Sequence, residues 1–374
     1  MLKRLVCIVV SCILTVISIN DLQVNALDVS AKACIMIEAV TGNIIYEKNS
    51  HDELPMASTT KIMTTILSLE SGDLDTQFTV DSDAIKVEGS SMGLVEGDIV
   101  TKRALCYGMM LPSGNDSANA TAIKLAGSFE NFATMMNDKA KEIGMEDTLF
   151  VTPSGLDEGG HHSTAYDMAL LTRYALKNSD FREICGSATA QVNFGNPPYD
   201  RWLKNSNKLL NMYEGVIGVK TGFTDDAGRC LVSACERNGV TLIVVTLNAP
   251  NDWEDHMSLY DYGFSQVSMQ SPTNENFSVN VVGGKKDTIS LERSTEIQLP
   301  NVTGYTADYK TKVYLNGFEY APIEAGETLG YVEYSLDGEV VATSDLVSSE
   351  AVLEDTSPIE LSFKEKLLKF IYQF

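Results

Sequence analysis

The sequence predicts an α+β fold, and three features of it carry that prediction. Strand-like segments lie at 33–48 and again at 216–247, a long helical stretch separates them, and short alternating strands follow residue 268. Strands distant in sequence that complete one sheet, with helices between them, define that class. A chain of 374 residues suffices for one large domain and a smaller one. Hydrophobic residues make up 44% and charged residues 21%, which supports a sizeable core and excludes global disorder. The net charge of −23 argues against nucleic acid as a partner, because such proteins concentrate Lys and Arg to displace counterions.

The N-terminus has its own texture. Lys3 and Arg4 precede an apolar run from Leu5 to Ile19, and a more polar stretch ends at Val24-Asn25-Ala26. Charge, apolar run and small residues in that order predict a secretory signal peptide over 1–26. The run is short for a membrane span, which needs about 20 residues. Beyond this segment lie Cys34, Cys106, Cys185, Cys230 and Cys235. Their number is odd and their spacing irregular, so they read as buried free thiols with no zinc site.

Cys34–Ile37 and Asn43–Tyr46 read as two strands joined at Thr41-Gly42. From Ala57 to about Leu69 the pattern turns helical, with Ile62, Met63, Ile66 and Leu67 at spacings of three and four. Further helices are expected at 102–111, 115–127, 129–143 and 165–177. Strands return at 216–221, 229–235 and 240–247. This first domain is expected over 27–268.

After a linker at Pro272, Asn274 and Asn276, the segments Phe277–Val282, Asp287–Leu291, Lys312–Leu315, Thr328–Tyr334 and Glu339–Ser344 alternate apolar with polar residues. Turn signals at Gly283-Gly284, Asn316-Gly317 and Asp337-Gly338 separate them, so a small all-β sandwich is expected over 275–353. The tail at 359–374 differs again. Phe363, Leu367, Phe370, Ile371 and Phe374 share one helical face opposite Lys364, Lys366 and Lys369. Such a basic amphipathic helix suits the surface of an anionic membrane, contacted through 363–374.

Three short motifs carry chemistry. Ser58-Thr59-Thr60-Lys61 opens the first long helix, and a spacing of three puts Ser58 and Lys61 on one face. A Ser hydroxyl is a poor nucleophile until a base removes its proton. Lys61 serves as that base only if burial or a neighbouring cation lowers its pKa. Ser113-Gly114-Asn115 follows the second helix; Ser113 suits a proton relay, and Asn115 a contact to the substrate amide and to Lys61. Lys220-Thr221-Gly222 ends an apolar strand, where Lys220 offers a fixed cation near Lys61 and Thr221 a partner for a carboxylate. Gly222 lets the backbone approach a ligand, and Phe223 N–H with Ser58 N–H forms an oxyanion hole. Each motif alone reads as an ordinary cap, turn or strand end. Three in this order, each on the expected element, do not.

Together they resemble the motif set of penicillin-binding proteins and serine β-lactamases. Further stretches resemble the low-molecular-mass D-alanyl-D-alanine carboxypeptidases: Pro55-Met56-Ala57, Gly89–Leu94, Thr152–Asp157, His162–Asp167 and Thr224–Gly228. The likeness covers about residues 28–265 and extends to the β-rich domain and the tail. It implies a transpeptidase/β-lactamase-like catalytic domain, with a sheet flanked by helices, acting through an acyl-enzyme on Ser58. The substrates it implies are peptidoglycan stem peptides, and β-lactam antibiotics would acylate the same serine; it implies no cofactor. Some relatives carry an Arg before the Lys-Thr-Gly motif, where this chain has Asn205-Ser206-Asn207-Lys208. Which basic residue meets the substrate carboxylate alongside Lys220 therefore stays open.

His161 and His162 lack an acidic ligand cluster and read as loop or packing residues, with no metal, and His256 reads as structural. Asp225-Asp226 reads as a turn. The rival functions are a β-lactamase, an endopeptidase cutting cross-links, and an inactive wall-binding homologue. No Glu-x-x-Leu-Asn stretch lies between Asn115 and Lys220 to drive rapid penicillin deacylation, and intact motifs argue against an inactive protein.

Overall fold

The computed structural model describes residues 27–272 and 276–357, with positions 364, 368, 371 and 372. The expected signal segment, part of the expected linker and most of the expected amphipathic helix lie outside the described residues. Among the described residues no helix is long and apolar enough to cross a membrane. The chain divides into two compact units, one chiefly of residues up to Ser265 and one chiefly from Gln266 onward.

In the first unit the strands are β1 (Ala33–Glu38), β2 (Ile44–Lys48), β3 (Phe78–Thr79), β4 (Ile99–Val100), β5 (Thr189–Gly195), β6 (Pro198–Lys204), β7 (Val216–Thr224), β8 (Gly228–Arg237) and β9 (Val240–Leu247). The main sheet runs β2-β1-β9-β8-β7, so the two ends of the unit do complete one sheet. A smaller sheet, β3-β4-β5-β6, is a feature the sequence reading missed. Cys230 to Cys235 in β8 are all buried, which is why that strand reads as one continuous apolar run.

The helices are α1 (Lys61–Glu70), α2 (Lys102–Met110), α3 (Asn115–Ala126), α4 (Phe129–Glu142), α5 (Ala165–Ala175), α6 (Ser179–Gly186), α7 (Leu209–Met212) and α8 (Asp252–Gln266). Every residue of α1 from Lys61 to Leu69 is buried, as expected of a helix surrounded by protein. Thr101, Ser128, Thr164 and Asn178 cap α2, α4, α5 and α6 by accepting from a backbone N–H three residues on. Each such cap contributes about 1 kcal/mol and fixes where the helix begins. The five expected free thiols are free and buried. Burial pushes Cys34, Cys106, Cys185 and Cys230 up to about 12 and Cys235 to about 11, so none is a reactive thiolate near neutrality.

The strands of the second unit are β10 (Val267–Gln270), β11 (Phe277–Val282), β12 (Thr288–Arg293), β13 (Leu299–Val302), β14 (Lys310–Leu315), β15 (Glu319–Tyr320), β16 (Thr328–Leu336) and β17 (Glu339–Ser348). Six strands form one sheet, β14-β16-β17-β12-β11-β15, and β10 pairs with β13 in a two-stranded ribbon. The core gathers Val279, Val281, Ile289, Leu291, Val332, Tyr334 and Leu346 with Leu299 of the ribbon. The Asp337-Gly338 turn takes φ of 51° and 86°, the positive pair that a two-residue hairpin requires.

Candidate active site

Ser58 lies in a tight 3-10 turn, Ala57–Thr60, directly ahead of α1. It caps no helix, which removes the ordinary reading of that serine. Lys61, on the first turn of α1, is fully buried. Its Nζ lies 2.8 Å from Ser58 Oγ, 2.8 Å from Asn115 Oδ1 and 2.7 Å from the Ser154 carbonyl oxygen. The Asn115 and Ser154 oxygens each accept an N–H, and Ser58 Oγ is the third neighbour, the one that meets the lone pair when the amine is neutral. Burial, and next the charge of Lys220, hold the Lys61 pKa well below the usual lysine range, with Asp116 acting in the opposite sense.

Lys220 is also fully buried and donates to the Thr221 carbonyl at 2.8 Å. Burial lowers its pKa to about 7, so its charge is not fixed as the sequence suggested. It is a cation below neutrality and titrates near it. Thr221, beside it on β7, shares a 2.8 Å hydrogen bond with Ser206 Oγ. Gly222 is a position of close approach: a Cβ there would lie 3.1 Å from Ser58 N, from Met56 O and from the Ala57 Cβ. A Cβ would press on all three atoms, so a bare Cα suits a strand that runs this close to the nucleophile turn.

Ser113, buried with φ of 68°, stands between α2 and α3. Asn115 opens α3, and its Nδ2 donates to the Glu88 carbonyl at 2.7 Å. The next residue, Asp116, was not singled out from the sequence. Its buried carboxylate accepts from Ser91 Oγ and from the backbone N–H of Met92, Gly93, Leu94 and Ser117. One carboxylate therefore pins the Gly89–Leu94 loop to the start of α3. The Ser154 carbonyl carries no sequence signal of its own either, although Ser154 lies within the Thr152–Asp157 stretch.

Ser58, Ser113, Thr221, Gly222 and Phe223 line one cleft of about 360 Å³ with Ser90 and Ser206. Lys61 and Asn115 lie buried behind Ser58, and the buried Lys220 is close enough for its charge to act on Lys61, so all eight predicted residues converge on one place. Lys208 and Arg229 also line the cleft. Arg229 holds Asp252 through Nε and Nη2 at 2.6–3.0 Å and lies over the Trp253 ring. No sequence signal marked Arg229. Directly across the β7–β8 ladder it pairs with Phe223, which brings it to the cleft. His256 bonds Ser233 and Thr246 inside the core, and burial lowers its pKa to about 3, so it is structural as expected. Asp225 and Asp226 form the turn between β7 and β8. Among the described residues no cluster of His, Cys, Asp and Glu is arranged to hold a metal ion.

Comparison with known proteins agrees with this geometry. The family model described as D-alanyl-D-alanine carboxypeptidase matches residues 20–251, and one for the C-terminal domain of penicillin-binding protein 5 matches 264–354. D-alanyl-D-alanine carboxypeptidase DacF of Bacillus subtilis is 34% identical over 332 residues, spanning 86% of this chain and 85% of the relative. D-alanyl-D-alanine carboxypeptidase DacC of Escherichia coli is 32% identical over 362 residues, 88% of this chain and 86% of the relative. Among solved structures, the Streptomyces K15 DD-transpeptidase superposes with a TM-score of 0.61 at 32% identity, covering 63% of this chain and 98% of its own. Penicillin-binding protein 5 of Haemophilus influenzae gives 0.62 at 25% identity, covering 87% and 98%. With its three motifs in one cleft and these matches along both units, the chain belongs to the D-alanyl-D-alanine carboxypeptidases, serine enzymes of the low-molecular-mass penicillin-binding group.

Proposed function

We propose that the protein removes the terminal D-alanine from peptidoglycan stem pentapeptides through an acyl-enzyme on Ser58, and that penicillin acylates the same oxygen. The observation that carries the proposal is the 2.8 Å contact between Ser58 Oγ and a buried lysine whose pKa is held down. Neutral Lys61 takes the Ser58 proton as Oγ attacks the carbonyl carbon of the penultimate D-alanine. The N–H groups of Ser58 and Phe223 stabilise the oxyanion as negative charge develops. Ser113 passes a proton to the departing amine, so D-alanine leaves and a Ser58 ester remains. Water then attacks that ester, giving the shortened peptide and free Ser58.

The substrate's terminal carboxylate lies at the end of the cleft bounded by Thr221, Ser206, Lys208 and Arg229. These two lysine and arginine side chains fill the gap left by the missing Arg before the Lys-Thr-Gly motif. The test is D-alanine release from diacetyl-L-Lys-D-Ala-D-Ala, from its C-terminal amide and from the L-Ala-L-Ala isomer. The proposal predicts release from the free acid, at least about tenfold less from the amide, since the carboxylate forms charge-assisted hydrogen bonds, and none from the L,L isomer. Equal turnover of acid and amide would overturn the carboxylate assignment. Turnover of the L,L isomer, or of none of the three, would overturn the function.

We further propose that residues 1–26 direct export and that the tail at 359–374 attaches the mature protein to the outer face of the cytoplasmic membrane. What supports this is the charge and apolar pattern of each segment, together with a family that acts on the cell wall. Burial of the apolar face contributes roughly 25 cal/mol per Å², and each Lys near an anionic leaflet adds about 1 kcal/mol. A chain ending at Ser357 is expected to retain activity on small peptides but to leave the membrane fraction. If it still sediments with membranes after cell fractionation, the tail is not the anchor.

A further inference from the structure

Ala57, immediately before the nucleophile, has φ of 48°. A residue with a Cβ rarely adopts that left-handed conformation unless its surroundings over-determine it. Here they do, through a chain of hydrogen bonds that ends on His161. The Ala57 carbonyl oxygen accepts from Thr60 Oγ1 at 2.8 Å, and Thr60 Oγ1 lies 2.8 Å from His161 Nε2. On the other side of the ring, Nδ1 faces the backbone N–H of Val151 at 2.9 Å and of Thr152 at 3.3 Å.

The directions of these bonds follow from valence. Both backbone groups are donors, so Nδ1 is the unprotonated acceptor and the single ring proton sits on Nε2. Nε2–H donates to Thr60 Oγ1, which leaves the Thr60 hydroxyl proton for Ala57 O. His161 is 8% exposed, and burial, then the neighbouring His162, lowers its pKa to about 4, so one neutral tautomer persists at working pH.

The segment at the far end of this chain also holds the base. Ser154 O accepts from Lys61 Nζ, and Pro153 O accepts from Thr64 Oγ1 at 2.6 Å on the next turn of α1. The same segment presses on the nucleophile turn: a Cβ on Gly155 would stand 1.9 Å from Ala57 O. Between the two segments there is no slack.

We infer that His161 is a positioning residue for acylation, its two ring nitrogens tying the Ala57–Thr60 turn to the Val151–Ser154 segment so that Ser58 Oγ and Lys61 Nζ stay in register. It touches neither substrate nor the reacting atoms. The inference rests on the acyl-enzyme reading above, and it concerns how that pair is held.

The experiment compares His161→Leu, His161→Gln, Thr60→Val and the His161→Leu/Thr60→Val double variant. Each is purified, checked by thermal unfolding, and titrated with labelled penicillin to count acylable Ser58. Gln keeps an acceptor oxygen and a donor amide, whereas Leu keeps only bulk. For His161→Leu, kcat per labelled site is expected to fall roughly 10- to 100-fold with KM little changed, the scale set by small misplacements of reacting groups. His161→Gln is expected to recover most of that loss. Thr60→Val is expected to lose a similar factor, and the double variant to lose no more than the larger single loss, because both substitutions break one chain. Wild-type kcat in His161→Leu, a loss confined to KM, a Gln variant as impaired as Leu, or additive losses would each overturn the inference. Absence of any labelling in the wild-type protein would instead defeat the acyl-enzyme reading, so the two failures are distinguishable.

Discussion

Replacing Lys61 by Ala is expected to lower penicillin acylation and D-alanine release by roughly two to four orders of magnitude. A positioned general base contributes roughly 10²–10⁴-fold, and Lys61 is the lysine that contacts Ser58 Oγ, at 2.8 Å. The variant also removes the donor that satisfies Asn115 Oδ1 and Ser154 O, two buried acceptors. Leaving buried acceptors without partners costs stability, about 1–3 kcal/mol for each. Lys61→Ala is therefore expected to fold with a lower Tm. Stopped-flow acylation at several pH values checks the effect, and acylation within tenfold of wild type would exclude Lys61 as the base.

The second large effect belongs to Lys220. In the wild-type protein acylation should rise with pH as Lys61 deprotonates. Lys220→Met removes a charge that disfavours protonated Lys61, so the Lys61 pKa rises and the rising limb moves to higher pH. The variant is also expected to be more stable, and the sign can be worked out. Unfolded Lys220 titrates near 10.5 and the folded form near 7, so the unfolded chain binds more protons between these values. Wild-type stability consequently rises with pH across that window. The stabilisation from Lys220→Met should be greatest below pH 7 and fade toward pH 10.5. Thermal unfolding at pH 6, 8 and 10 reads it, alongside the pH profile of acylation. An unmoved limb would show that the two lysines do not couple, and a stabilisation that grew with pH would contradict the account of burial.

The residues that do chemistry were legible because their types are unusual at their places. A lysine three residues beyond a serine at the head of an apolar helix, and another ending an apolar strand, need a reason to be there. The groups that hold them were not legible in the same way. Ser154 acts through a carbonyl that any residue carries, and Asp116 acts through loop amides brought to it by the fold. Their roles appear only when the Gly89–Leu94 and Val151–Gly155 segments are in place.

The main sheet, α1 and the hairpins of the second unit follow from apolar periodicity, and the structure has them near the expected bounds. Helix α8 was missed because its inward face includes Asp252, Asp255 and His256. Arg229, Ser30 and the Ser233–Thr246 pair satisfy these polar groups from the sheet side, so the face is buried without looking apolar. The β5–β6 hairpin was missed for a related reason. Only Val192, Phe194, Gly195 and Leu203 are buried there, while Tyr199 and Trp202 stand exposed and blur the alternation.

The proposed chemistry passes through one covalent bond, between Ser58 Oγ and an acyl group. The direct measurement is mass spectrometry of the protein after brief exposure to penicillin, followed by proteolysis and sequencing of the modified peptide. One adduct per chain is expected, on Ser58, absent from Ser58→Ala and slow to leave because no Glu-x-x-Leu-Asn stretch lies between Asn115 and Lys220. An adduct on another residue, or one that forms on Ser58→Ala at the wild-type rate, would contradict it.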